Sequence, residues 1–294
     1  MSTLANSLRH SSVEPAASNP LAGKPSARSV PCHVACLRLL LFTLLTAVLA
    51  GLLSWLFLPW LNLPWWKVFR RCASVSAALS LVGMLRFIDR QPFRMLGLGP
   101  WSQGRSDLSR GLLLGMSTVA VVGSLYALFG ACRISVHPDS WRVWRTVIGF
   151  LPAALLVAVL EELIFRGYVF HQLLAWSASW AVMGSSLAYA LVHLRGGFVW
   201  PATAFELIGL WILGVVLAVS RLRTGQLYLA IGLHASLAYW ARVNKLLIAF
   251  QDSTIPWLIG TNRLVNGVAA WVALGVIGWI ITRWRACPNE GGGS

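Results

Sequence analysis

Acidic residues are scarce in this sequence. Only nine of the 294 residues are Asp or Glu, against 24 Lys and Arg. Charged residues make up 11% of the chain and hydrophobic residues 57%, whereas an ordinary soluble domain carries roughly 25% charged residues. This composition excludes an ordinary soluble domain and predicts a membrane protein with several transmembrane helices.

Cysteine is also sparse, and its spacing excludes two further classes. The five Cys residues are an odd number with no C-x-x-C pair, so the sequence indicates neither a disulfide framework nor a zinc ribbon. The net charge of +15 does not indicate a nucleic-acid partner, because the basic residues are spread between apolar segments rather than along one face. We interpret them as determinants of membrane topology.

Composition shifts divide the chain into five parts. Residues 1–36 are rich in Ser, Pro and Ala and predict a disordered cytoplasmic tail. Two helices and a basic loop are expected over 37–110, and a core of helices over 111–250. Residues 251–288 predict a final helix with a short basic tail, and 289–294 resemble a linker. The fold class predicted is all-α, a polytopic membrane helical bundle.

Eight apolar runs carry this prediction, at about 37–60, 68–87, 111–131, 147–174, 180–193, 201–220, 227–250 and 268–284. An excess of Lys and Arg near both chain ends and in the loop 86–110 predicts that these segments are cytoplasmic. Arg133, Arg142 and Arg145 fall on the other side and are exceptions to the bias. We expect an integral protein of a bacterial inner membrane.

The stretch Val157–Phe170 reads V-A-V-L-E-E-L-I-F-R-G-Y-V-F and places charges inside an apolar run. A charge at the centre of a membrane helix costs roughly 2.5 to 3.5 kcal/mol, so Glu161, Glu162 and Arg166 predict a functional site. Glu206 also lies in an apolar run, but near the start of its helix, where the helix dipole favours a carboxylate. We assign it no role.

Spacing predicts which of these groups meet. Glu162 and Arg166 are four residues apart and share a helix face, so they can form an ion pair. Glu161 points about 100° away from Glu162. The turn at 176–179 joins two antiparallel helices, and Glu161 and His193 are about equally far from it, so they should lie at one depth.

A second histidine, His234, would enter the same interior from a mid-span position on another helix. Each group also has a purely structural interpretation. The pair of Glu162 and Arg166 could serve helix packing. His193 could cap its helix, and His234 could be a satisfied core histidine.

Three motifs resemble those of the CPBP family of intramembrane glutamic endopeptidases, the CaaX-processing and bacteriocin-immunity-related group. E-E-L-I-F-R is similar to the signature E-E-x-x-x-R. Y-A-L-V-H resembles the motif aromatic-x-x-x-His, with Tyr189, a supporting residue, where Phe is usual and His193 in register. H-A-S-L-A matches His-x-x-x-Asn only at His234, because Ala238 stands where Asn is usual. The resemblance covers about 111–250.

The resemblance implies an endopeptidase that cleaves a peptide bond near the C-terminus or membrane boundary of a membrane-anchored protein or peptide. Glu161 and His193 would activate a water molecule, and His234 would help to stabilise the oxyanion. Glu162 and Arg166 would hold the site together. The partners are then the substrate and the lipid bilayer, and we expect neither a cofactor nor a metal ion.

Two alternatives remain open. Ala238 removes an oxyanion donor, which leaves room for a catalytically impaired scaffold or immunity protein of the same family. Two His and one Glu would also suit zinc, which would make the protein a zinc-dependent intramembrane protease. The sequence contains no H-E-x-x-H motif to support that reading.

Overall fold

The computed structural model describes residues 30–194, 199–250 and 267–283. Of the segments predicted above, the tail before residue 30, the chain from 251 to 266 and the linker-like end at 289–294 lie outside these ranges. The helices are α1 (Cys32–Phe57), α2 (Trp65–Gly83), α3 (Trp101–Leu128), α4 (Ser140–Glu162), α5 (Phe170–Leu173), α6 (Ala178–Val192), α7 (Ala202–Thr224), α8 (Tyr228–Leu247) and α9 (Val268–Thr282). The predicted membrane helical bundle is confirmed.

Among the described residues, five helical segments are long and apolar enough to cross a membrane, and two apolar helices are shorter. The long segments are Cys32–Trp60, Trp65–Asp89, Phe93–Leu128, Ser140–Leu173 and Ala202–Thr224. The shorter helices, α6 and α9, have 15 residues each, fewer than the roughly 17 to 25 residues of a full membrane span. Large apolar side chains remain exposed along the outside of the bundle, as is required of an integral membrane protein whose outer face contacts lipid.

Several helix boundaries differ from the prediction. α1 begins at Cys32, five residues early, directly after Pro31, and α3 begins at Trp101, directly after Pro100. Proline is favoured where a helix starts, because no intrahelical partner is needed there for its missing N–H. α7 extends to Thr224, where Gly225 adopts the left-handed conformation that ends many helices.

A small antiparallel sheet was not predicted. β1 (Cys132–Ile134) pairs with β2 (Ile248–Phe250), so the expected seventh span ends at Leu247 and its last three residues form a strand. We call this side of the bundle the sheet end.

The opposite side, which we call the loop end, gathers turns from several parts of the chain. The amide of Leu227, between α7 and α8, donates to the carbonyl of Gly97 at 2.9 Å, and the Tyr228 hydroxyl donates to the carbonyl of Gly99 at 2.7 Å. Arg38 of α1 forms an ion pair of 3.0 Å with Asp89, which follows α2. The two hydrogen bonds fasten the loop after α2 to the start of α8, and the ion pair holds α1 against the end of α2.

Glycines allow α3 and α8 to pack backbone against backbone. A Cβ atom on Gly232 would lie 2.8 Å from the amide nitrogen of Leu112 and 3.1 Å from the carbonyl carbon of Gly111. One turn further along, a Cβ on Gly115 would lie 2.6 Å from the Cβ of Ser236. Small residues four apart are a common device for close helix packing in membranes. Here they fix the position of α8.

Candidate active site

The central charged stretch lies where an α-helix changes to a π-helix. α4 ends at Glu162 and continues as a π-helical segment, Leu163–Val169, before α5 begins. All seven residues of the π-helical segment are buried, including Arg166. Such wide turns are rare and are often found at functional sites.

Glu162 and Arg166 form a fully buried ion pair, as predicted. Arg166 Nη1 donates to Glu162 Oε1 at 3.0 Å, and both side chains are 0% exposed. Arg166 Nη2 donates to the carbonyl of Gly214 on α7 at 3.2 Å. The guanidinium carbon lies 4.4 Å from the centroid of the Tyr189 ring, within the range of a cation–π interaction. One cation thus connects the central helix to α6 and α7.

His234 binds the same carboxylate from α8. Its Nδ1 lies 2.8 Å from Glu162 Oε1, and because a carboxylate accepts, Nδ1 carries the proton. The other ring nitrogen, Nε2, lies 3.5 Å from the Tyr189 hydroxyl and 3.6 Å from Glu161 Oε2. The side chain is buried.

His193 immediately follows the last residue of α6. Its Nδ1 donates to the carbonyl of Tyr189 at 2.8 Å, which satisfies one of the free carbonyls of the helix end. Its Nε2 faces Glu161 Oε2 at 3.8 Å. The ring therefore caps the helix with one nitrogen and meets the carboxylate with the other.

The length of α6 explains why this histidine reaches the interior. Fifteen helical residues cover about 22 Å at 1.5 Å per residue, which is less than the ~30 Å of a bilayer core. Because α6 starts after the turn near the loop end, it ends within the membrane thickness. His193 is therefore presented at the depth of Glu161.

The site has a closed layer and an open layer. Glu162, Arg166 and His234 form the closed layer, and the two charges of the ion pair are inaccessible to solvent. Glu161 and His193 form the open layer, with side chains 26% and 24% exposed.

A known protein family matches the segment that contains this cluster. Residues 143–240 match the family model Rce1-like, described as type II CAAX prenyl endopeptidase Rce1-like. The chain contains an Rce1-like domain. The resemblance to the CPBP and CaaX protease-like group is confirmed for this segment, and the family implies a peptide hydrolase of the membrane. No curated protein and no solved structure matches the chain.

The Rce1-like domain runs from the first turn of α4 to the last third of α8. It contains every site residue that the sequence predicted: Glu161, Glu162, Arg166, Tyr189, His193 and His234. The structure brings all six together. Among the described residues, no group of three His, Cys, Asp or Glu side chains has an arrangement suited to a metal ion.

Two hydroxyl groups lie near Ala238 in the sequence, and both contact other helices. The Tyr239 hydroxyl donates to the carbonyl of Val147 on α4 at 2.9 Å. Ser236 packs against Gly115 of α3. Ala238 itself lies one helical turn after His234 and is half-buried.

Sequence reasoning missed some parts of the site. The carbonyl of Gly214 accepts a hydrogen bond from Arg166, and residue type does not predict a backbone acceptor of this kind. The close packing of α3 on α8 does leave a signal, because Gly111 and Gly115, like Gly232 and Ser236, are small residues four apart. That spacing could have predicted the contact that places His234.

Proposed function

We propose that this protein hydrolyses a peptide bond near the C-terminus or membrane boundary of a membrane-anchored protein or peptide, as a glutamic-type intramembrane protease. The observation that carries the proposal is the convergence of Glu161 Oε2, His193 Nε2 and His234 Nε2. The two histidine nitrogens lie 3.8 and 3.6 Å from the carboxylate oxygen. The side chains of Glu161 and His193 are partly exposed, whereas the Glu161 Oε2 atom itself is buried.

Glu161 and His193 are arranged to activate water. With its Nδ1–H bound to the carbonyl of Tyr189, a neutral His193 ring presents a lone pair at Nε2. A separation of 3.8 Å is too long for a direct hydrogen bond, and a substrate water can contact both groups. The water oxygen attacks the peptide carbonyl carbon while its proton passes to this pair.

The later steps follow from charge balance. As the carbon–oxygen bond forms, the electron pair of the carbonyl moves to its oxygen, which becomes an oxyanion. When its ring is protonated, His234 donates from Nε2 to this oxygen, and Glu162 holds the ring through Nδ1. The oxyanion then collapses, the carbon–nitrogen bond breaks, and the leaving amine takes the proton held by Glu161 and His193.

The proposal is tested by replacing the open-layer carboxylate. Purified protein in liposomes is assayed with an internally quenched, prenylated peptide ending in a C-a-a-X sequence and with an unlipidated membrane-anchored peptide. Glu161→Gln keeps the side-chain shape but removes the base, so cleavage should be abolished while the unfolding temperature stays unchanged. Asp107→Asn, a carboxylate-to-amide change on α3 beside Arg110, is the matched control and should retain activity.

Three results would contradict the proposal. Turnover by well-folded Glu161→Gln protein would remove the glutamic mechanism. Activity lost to a chelator and restored by zinc would establish the zinc-dependent alternative. Wild-type protein that cleaves neither peptide would favour the scaffold or immunity role.

We also place the protein in a bacterial inner membrane with both termini cytoplasmic. The support is the distribution of Lys and Arg along the chain. The expected partners are the substrate and the surrounding lipid.

A further inference from the structure

Two departures from the family motifs flank the same histidine. Tyr189 stands where the resemblance expects Phe and so adds a hydroxyl group, whereas Ala238 stands where it expects Asn and so removes an amide. The Tyr189 hydroxyl lies 3.5 Å from His234 Nε2. Ala238 follows His234 by one helical turn. Relative to the family motifs, one hydrogen-bond donor is added and one is absent beside a single histidine.

The Tyr189 ring is held from three directions. The Phe165 ring meets it edge-on, with centroids 5.4 Å apart. The Arg166 guanidinium carbon lies 4.4 Å from the ring centroid, and the His193 ring lies 4.6 Å away, centroid to centroid. The residue is 2% exposed. A hydroxyl on so constrained a ring is already oriented before substrate arrives, which is the property that makes a donor effective in catalysis.

Tyr189 also connects both halves of the proposed chemistry. Its backbone carbonyl accepts from His193 Nδ1 at 2.8 Å, and its hydroxyl faces His234. The hydroxyl and Glu161 Oε2 lie at 3.5 and 3.6 Å from the same nitrogen. The space in front of His234 Nε2 is therefore bounded by a donor on one side and the proposed base on another.

We propose that the Tyr189 hydroxyl is a catalytic residue that donates a hydrogen bond to the oxyanion, in place of the amide missing at Ala238. This inference rests on the proposed function. In the reacting form His234 carries a proton on both ring nitrogens, and before substrate binds its Nε2–H donates towards the Tyr189 oxygen, which leaves the Tyr189 O–H free to donate. When the carbonyl oxygen gains the electron pair, the Tyr189 O–H and the His234 Nε2–H both donate to it. No proton is transferred from Tyr189.

The first test is Tyr189→Phe, which removes one oxygen and keeps the ring packing. Loss of one oxyanion donor costs about a hundred- to a thousandfold in kcat, so kcat should fall by that factor on the quenched prenylated peptide while KM changes little. Tyr239→Phe is the matched control, because its hydroxyl is bound to Val147, and it should keep wild-type kcat. The unfolding temperature of both variants is measured in the same detergent.

The second test asks whether an amide at position 238 restores the activity that Tyr189→Phe loses. Adding Ala238→Asn to Tyr189→Phe should raise kcat at least tenfold over Tyr189→Phe alone, because the amide returns a donor one turn from His234. Unchanged kcat in Tyr189→Phe, or a loss that Ala238→Asn leaves uncorrected, would overturn the assignment. The two proposals fail separately, since an active Glu161→Gln variant removes the proposed function whatever Tyr189→Phe shows.

Discussion

At the scale of single residues, the neighbouring carboxylates Glu161 and Glu162 meet opposite surroundings. Glu162 is fully buried and its Oε1 accepts from both Arg166 and His234. Glu161 is partly exposed, and its Oε2 accepts no hydrogen bond from the described residues. A carboxylate oxygen that accepts from two donors is suited to holding structure, and an oxygen without a donor beside two imidazoles is suited to proton transfer.

Replacement of Arg166 tests whether the ion pair with Glu162 holds the structure of the site. Arg166→Ala leaves Glu162 buried without its cation, and breaking a buried pair in this way typically costs about 3 to 5 kcal/mol. We expect a large fall in the unfolding temperature together with loss of cleavage. Thermal unfolding in detergent measures this, beside Glu161→Gln as the variant that should unfold like wild type. An Arg166→Ala protein of wild-type stability would show that the pair does not hold the site.

The proposed joint action of Glu161 and His193 predicts non-additive kinetics. If Glu161 and His193 act as one unit on one water molecule, the removal of either disables it, and the loss of both adds little. The kcat/KM of Glu161→Gln/His193→Ala should therefore lie close to that of the more damaged single variant. Independent roles would instead multiply the two single losses.

A donor added at Ala238 should be tolerated in the otherwise wild-type protein. With the Tyr189 hydroxyl in place, Ala238→Asn supplies a second donor near His234, so kcat should be equal to or higher than that of wild type. The side chain at 238 is only half-buried, which leaves space for the amide. A strong loss of kcat in a folded variant would mean that Ala238 makes room for substrate.

At the scale of elements, the crossing of α3 and α8 decides where His234 lies. Gly232 precedes His234 by two residues and touches the backbone of α3 around Gly111. Gly232→Val places extra carbon atoms where that backbone lies, and overpacking of this kind typically costs about 1 to 3 kcal/mol. We expect lower stability and a loss of cleavage, because α8 must move and take His234 with it.

The matched control is a glycine of α3 at which an added side chain would contact no other residue. A Cβ on Gly123 of α3 would find nothing within 4 Å, so Gly123→Val should leave both cleavage and unfolding temperature nearly unchanged. Equal effects of the two substitutions would contradict a special role for the Gly232 contact.

Part of this arrangement follows from the sequence alone. The pairing of Glu162 with Arg166 follows from helix periodicity, and the approach of His193 to Glu161 follows from counting residues on either side of a turn. The π-helical segment at Leu163–Val169 was not predicted, because it depends on how the neighbouring helices pack. Nor was the β1–β2 pairing, whose partners are more than a hundred residues apart.

At the scale of the whole molecule, the bundle has two chemically different ends around one apolar belt. At the loop end lie the start of α1, the segment after α2, the turn between α7 and α8, and the basic loop around Arg86, Arg90 and Arg94. The sheet end also carries basic residues, at the start of α2 and the start of α4. In the sequence, Arg9, Lys24 and Arg28 precede α1, whose first residues lie at the loop end.

The Lys and Arg residues before α1 in the sequence and in the loop 86–110 predict that the loop end is cytoplasmic, because these residues favour the inner side of the membrane. Ser102, at the start of α3, and Ser135, after β1, are both exposed and lie at opposite ends. In a protein whose native cysteines are replaced, Ser135→Cys should react with a membrane-impermeant maleimide on intact cells. Ser102→Cys should react only after the membrane is opened. The reverse pattern would invert the topology, and reaction of both sites on intact cells would mean that the two ends are not on opposite faces of the membrane.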